Sequence, residues 1–173
     1  MEFLKRKTIY QLSLRTITPE GTLQAAIKML PHIASLGFDI VYLTACFAAD
    51  GDLDVGTWSE RQIKSGCGNP KNPYKIADYF HVDEEYGTDK DLKAFVDAAH
   101  DIGLEVIFDL VYLHCGKNAA FIKEHTDFVE RNADGTTLVG ERWPFARLNY
   151  DNNELREYLY SNMVYFIREY NVD

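Results

Sequence analysis

The sequence predicts an α/β fold assembled from parallel βαβ units. Two observations carry this. Short, mostly apolar runs rich in β-branched and aromatic residues recur at 8–14, 38–44 and 104–109, as in strands of a sheet buried on both faces. Stretches with helical apolar spacing, bounded by capping residues and glycines, stand between and after these runs. Such alternation favours a parallel sheet with crossover helices. It is the rhythm of a (β/α) barrel or of a doubly wound sheet. No GxGxxG follows the first strand, which lowers the dinucleotide-binding option.

Residues 8–14, TIYQLSL, form the first predicted strand. Thr18-Pro19-Glu20-Gly21 reads as a turn. From Thr22 to Leu36, the residues Leu23, Ala26, Ile27, Leu30, Ile33, Ala34 and Leu36 fall mainly on helical spacing. Pro31 predicts a kink or break there, and Gly37 the stop. FDIVYLT (38–44) is the second strand. An irregular segment follows over 45–87, holding Gly51, Gly56, Gly66, Gly68, Pro70 and Pro73; a loop this long is usually functional. Thr88 or Asp89 caps a helix to Ile102, with Leu92, Phe95, Val96, Ala99 and Ile102 on one face and Gly103 after it. LEVIFD (104–109) is the third strand, and 113–150 a second irregular region. Asp151 or Asn152 caps a last helix with a stripe of Leu155, Leu159, Met163, Phe166 and Ile167.

The 173 residues are 46% hydrophobic and 26% charged, which suits one globular domain with a sizeable core. The net charge is −9 and no basic stripe is visible, so neither nucleic acid nor an anionic membrane is an expected partner. Cys46, Cys67 and Cys115 are scattered without a CxxC, so the expectation is reduced thiols without a disulfide framework or a zinc site. The N-terminus MEFLKRKTIYQ is basic but lacks a signal-peptide apolar stretch, and no run reaches membrane-spanning length. The expected location is cytoplasmic.

Within VIFDLVYLHCG (106–116), Asp109 interrupts an apolar run and His114 follows it. A carboxylate at the end of a buried strand must find polar partners. In a β/α barrel, the C-terminal strand ends and the loops after them build the site. The two long loops both follow strands, which places both on that face.

Several runs together resemble the alpha-amylase family of glycoside hydrolases and transglycosylases. IYQLSLRT is similar to the family's first strand, and HIASLGFDIVYLT to its first helix end and second strand. NPYKIADYFHVDEEYGTDKDLKAFVDAAHDIGLEVIFDLVYLH is similar to its most recognisable run, and FARLNYDNNELREYL to the approach to its third helix. The resemblance implies a partial (β/α)8 TIM barrel: the first three β/α units, with long loops after strands 2 and 3. Residues 1–173 would be the N-terminal portion of the catalytic barrel, with about 113–150 a short inserted loop region after strand 3.

By the same resemblance, Tyr74 stacks on a sugar ring, His114 hydrogen-bonds it, and Asp109 helps to order the site. Asp78 and Tyr79 match a more structural pair, and His100 a structural histidine. Leu113 stands where the family usually has an Asn that often ligates calcium; a leucine offers no ligand, so that calcium is doubtful and no cofactor is expected. Gln11 and Arg15 are further candidates to face the pocket. Trp58 and Trp143 are read as packing rather than a substrate platform. Cys67 and Cys115 are read as inert, and Asp83, Glu84 and Glu85 as a solvated acidic patch.

Retaining glycoside hydrolysis needs a nucleophilic and an acid/base carboxylate about 5 Å apart. The resemblance places both beyond Asp173, so no catalytic residue is expected within these residues. The expected function is carbohydrate metabolism, as part of a retaining enzyme acting on α-linked glucosides, oligo- or polysaccharide, with the 173 residues inactive alone. The rival reading is a non-catalytic, amylase-like binding module. A weaker rival, an unrelated β/α protein binding a phosphorylated ligand, would need a Gly-rich turn at a helix start, and none is found.

Overall fold

The structure is a computed structural model. It describes residues 6–51, 56, 60–64, 69, 71–140 and 144–173, with Arg61 and Gln62 in backbone only. The readings of Trp58, Cys67 and Trp143 lie outside these residues. In chain order the elements are β1 (Ile9–Leu12), α1 (Leu14–Ile17), α2 (Leu23–Ile27), α3 (Leu30–Ser35), β2 (Ile40–Leu43), α4 (Glu60–Lys64), α5 (Asp89–Asp101), β3 (Glu105–Phe108), β4 (His114–Gly116), α6 (Phe121–Glu124), β5 (Phe145–Arg147) and α7 (Asn153–Tyr170). The chain divides into two compact units. One is Met1–Cys46 with Phe80–Leu110 and Ser161–Asp173, the other Phe47–Tyr79 with Val111–Tyr160.

The first unit holds the expected parallel sheet, in the order β1-β2-β3. Its register pairs Leu12 with Leu43 and Val41 with Val106. All four are buried, with Leu92, Phe95, Val96 and Ala99 of α5. Burying one such side chain contributes about 1.5–3 kcal/mol. The α5 helix starts where the sequence places it. Thr88 Oγ1 accepts from Asp91 N–H at 3.3 Å, and Asp91 Oδ2 accepts from Thr88 N–H at 2.8 Å, closing a capping box. Ile102, expected on the buried face, is exposed; it lies one residue past the helix, where the periodicity no longer applies.

The helix expected over 22–36 is two helices, α2 and α3. Pro31 sits in the first turn of α3, where its missing N–H has no helical partner to lose. The buried stripe of α7 also differs from expectation. Leu155, Leu159, Asn162, Phe166 and Tyr170 are buried, while Met163 and Ile167 are exposed. Helical spacing places a polar residue, Asn162, in the middle of the stripe, and hydrophobicity alone passed over it. Left-handed Asn171 (φ 60°) ends α7 and turns the chain back, so that Asp173 N–H donates to Val106 O at 2.9 Å, beside β3.

The acidic patch expected at Asp83, Glu84 and Glu85 is solvated only at Glu84. Arg15 donates to both carboxylate oxygens of Glu85, at 2.6 and 2.7 Å, and its guanidinium lies 5.9 Å from the Tyr86 ring centre. Asp83 is buried, accepts from Glu85 N–H at 3.0 Å and donates its own N–H to Cys46 O at 2.9 Å. Arg15, a candidate for the pocket, is thus committed to an ion pair, and Gln11 is exposed on β1.

In the second unit, the irregular region 113–150 contains a two-stranded antiparallel sheet. It pairs His114 with Arg147, Cys115 with Ala146 and Gly116 with Phe145. Strands of three residues are too short to show a period. The core here is aromatic: the Tyr79 ring packs at 5.7 Å from Tyr112, 5.7 Å from Phe121 and 6.4 Å from Tyr158. Cys46 of the first unit and Cys115 of the second are both buried free thiols. Burial pushes both up, Cys115 to about 12 and Cys46 further.

Candidate substrate-contacting site

Of the three residues singled out, Tyr74 and His114 come together inside the second unit. The β4 strand presents His114, whose ring stacks on Phe145 with centroids 4.0 Å apart and planes 20° from parallel. Its Nε2 lies 3.1 Å from the Tyr74 carbonyl. A carbonyl can only accept, so the hydrogen sits on Nε2. Half-burial lowers the His114 pKa, opposed by the bond to Tyr74, so the neutral ring dominates near pH 7. Nδ1 then offers an acceptor, and it has no hydrogen-bond partner among the described residues. The Tyr74 side chain is 36% exposed, and Asn72 Oδ1 accepts from its N–H at 3.0 Å. A partly exposed tyrosine and a neutral imidazole with an acceptor at Nδ1 are groups of the kinds that pack on the C–H side of a sugar ring and receive a hydroxyl.

Buried groups hold this pair from behind. The Tyr79 hydroxyl lies 3.0 Å from Val111 O and 3.2 Å from His114 O and donates to this carbonyl pair. Burial raises its pKa strongly, so it remains a donor. Asp50 is only 3% exposed. It accepts from Asn118 N–H at 2.8 Å and from Asn118 Nδ2 at 3.1 Å. A Cβ added to Gly116 would fall 2.4 Å from Asp50 Cβ, so only glycine fits at the end of β4. Gly116 N–H also donates to Ile76 O at 2.7 Å, which ties β4 to the segment carrying Tyr74. The sequence reading missed Asp50 and Gly116. The glycine two residues after His114 was the available signal.

Asp109 belongs to the first unit. Its N–H donates to Leu43 O at 2.9 Å, extending the β2–β3 ladder by one residue. Tyr42 hydrogen-bonds its carboxylate. Burial, then that bond, raise the Tyr42 pKa, so the hydroxyl remains the donor.

Leu113 is 73% exposed and flanks a cavity of about 200 Å³ shared with Glu130, Arg147, Asn149 and Asp151. Arg147 pairs with Glu130 at 3.4 Å. Calcium takes six to eight oxygens, and the Leu113 side chain offers none. No group of three His, Cys, Asp or Glu side chains is placed to hold a metal among the described residues. No helix among them is long and apolar enough to cross a membrane.

The geometry can be set beside known proteins. The alpha-amylase catalytic-domain family model matches residues 6–136. The malto-oligosyltrehalose trehalohydrolase of Rhizobium sp. (strain M-11) is 32% identical over 173 residues, covering 98% of this chain and 25% of that protein. The alpha-1,4-glucan:maltose-1-phosphate maltosyltransferase of Arcanobacterium haemolyticum is 30% identical over 143 residues, 77% of this chain and 20% of its own. An alpha-amylase structure from Lactobacillus plantarum matches with a TM-score of 0.80 at 28% identity, over 92% of this chain and 36% of its own. The chain spans a quarter or less of the length of the curated relatives it matches. Sequence motif, parallel sheet and solved relatives agree, and the chain belongs to the alpha-amylase catalytic-domain family of glycoside hydrolases.

Proposed function

We propose that these residues are the first three β/α units of a (β/α)8 barrel, in a retaining glycoside hydrolase or transglycosylase acting on α-linked glucosides. The observation that carries this is the parallel order β1-β2-β3 with Asp109 seated on the ladder at the end of β3. Relatives named as a trehalohydrolase and a maltosyltransferase support an α-glucoside substrate. In this reading Tyr74 packs on the sugar ring and neutral His114 receives a hydroxyl from it. Asp109, held by Tyr42, adds a carboxylate acceptor. Such contacts aid the reaction where they strengthen as the ring flattens towards an oxocarbenium ion.

The nucleophile and the acid/base are carboxylates outside these 173 residues, which are inactive alone, and no calcium is held at Leu113. The test is to read the coding sequence past Asp173 and to assay the encoded longer protein beside the 173-residue chain on maltoheptaose. Turnover is expected from the longer protein only. Site-dependent turnover by the 173-residue chain would sink this assignment. Binding without turnover by the longer protein would favour a non-catalytic module.

A further inference from the structure

Asp173 is held more firmly than a residue following a helix needs to be. Its N–H donates to Val106 O at 2.9 Å, and its Oδ2 accepts from Val106 N–H at 2.8 Å. The same Oδ2 lies 2.8 Å from His100 Nε2. The other ring nitrogen of His100, Nδ1, lies 3.5 Å from Asn171 Nδ2. The tautomer with its hydrogen on Nε2 satisfies both contacts, giving to Asp173 and receiving from Asn171. One side chain on α5 thus grips both ends of the segment 171–173. That segment changes direction at left-handed Asn171, a conformation that asparagine tolerates better than most residues. Both backbone groups of Val106 are committed to Asp173, so the segment has one position along β3, not several. All these residues lie in the first unit.

We propose that His100 is a positioning residue. By seating the Asp173 carboxylate against β3, it sets the register in which the chain leaves Asp173 as the next parallel strand. The catalytic consequence rests on the function proposed above, in which the nucleophile lies beyond Asp173. A register error there would displace it by ångströms, and a 1 Å misplacement can cost about a hundredfold in rate.

The test uses the longer encoded protein with His100→Leu, which keeps bulk without a donor, and His100→Gln, whose amide nitrogen can replace Nε2. Expected for His100→Leu is a kcat about tenfold or more below wild type with KM within about twofold, the pattern of lost alignment with intact binding. His100→Gln should recover most of that kcat. Wild-type kcat in His100→Leu overturns the proposal. So does equal loss in both variants, since restoring a donor would then not restore the rate. If the wild-type longer protein has no activity, the enzyme reading fails and the seating is decided separately, by amide exchange in the 173-residue chain. Faster exchange at Val106 and Asp173 in His100→Leu, reversed in His100→Gln, supports it; unchanged exchange overturns it.

Discussion

Two buried pairs show how differently the units are built. In the first unit, Val41 lies opposite Val106 on adjacent parallel strands, and both are fully buried. In the second, Asp50 lies against Gly116, and the buried carboxylate is satisfied by Asn118. The first arrangement tolerates many apolar sequences of similar volume. The second depends on one glycine and one set of hydrogen bonds. Tyr74 and His114 belong to the second kind of structure and Asp109 to the first. Tyr74 and His114 therefore ride on the part with the least sequence redundancy, and Asp109 on the sheet ladder.

The comparison can be broken or sharpened by mutation. Phe95→Ala empties a fully buried position in the first unit and should cost about 3–5 kcal/mol in urea denaturation. A cost below about 1 kcal/mol would mean that α5 is not clamped on the sheet as the burial implies. Gly116→Ala places a methyl 2.4 Å from Asp50 Cβ and should cost about 2–3 kcal/mol. The accompanying loss of amide protection should appear at Gly116 and Asn118. If alanine is tolerated there, the contrast drawn between the units fails at its centre. Tyr79→Phe keeps the ring but removes the donor to the carbonyl pair Val111 and His114, for a loss of about 1 kcal/mol. Its near-UV spectrum should otherwise be retained.

The smallest expected effect concerns pH. Burial depresses the folded pKa of His114 below its ordinary 6.5. In the window just below 6.5 the unfolded histidine binds more protons than the folded one, so stability falls as pH drops through that window. It is fully present above 6.5. His114→Phe should flatten this part of the stability-pH curve relative to wild type, read as a difference in slope. An unchanged slope would show the ring to be as freely protonated folded as unfolded.

What could be read from the sequence was local. Thr88 just before the helix and Gly103 just after it announce the two ends of α5, and the capping box forms. The β2 and β3 runs were legible because they are short, mostly apolar and rich in β-branched and aromatic residues. The illegible features depend on distant partners. Glu85 looked solvated because its partner, Arg15, is 70 residues away. Asp50 meets Asn118 across 68 residues. The β4 and β5 strands were invisible because three residues carry no period. For the site, the resemblance pointed to Tyr74, Asp109 and His114. That Tyr74 and His114 meet through a backbone carbonyl, and that Tyr79 and Gly116 brace them, needed coordinates.

The placement of the thiols gives each unit a chemical clock. Among the described residues, Cys46 of the first unit and Cys115 of the second are buried free thiols whose pKa burial raises. Alkylation at either requires its surroundings to open first. Pulsed labelling followed by peptide mass analysis would time the openings of the two units separately, in a single sample of unmutated protein.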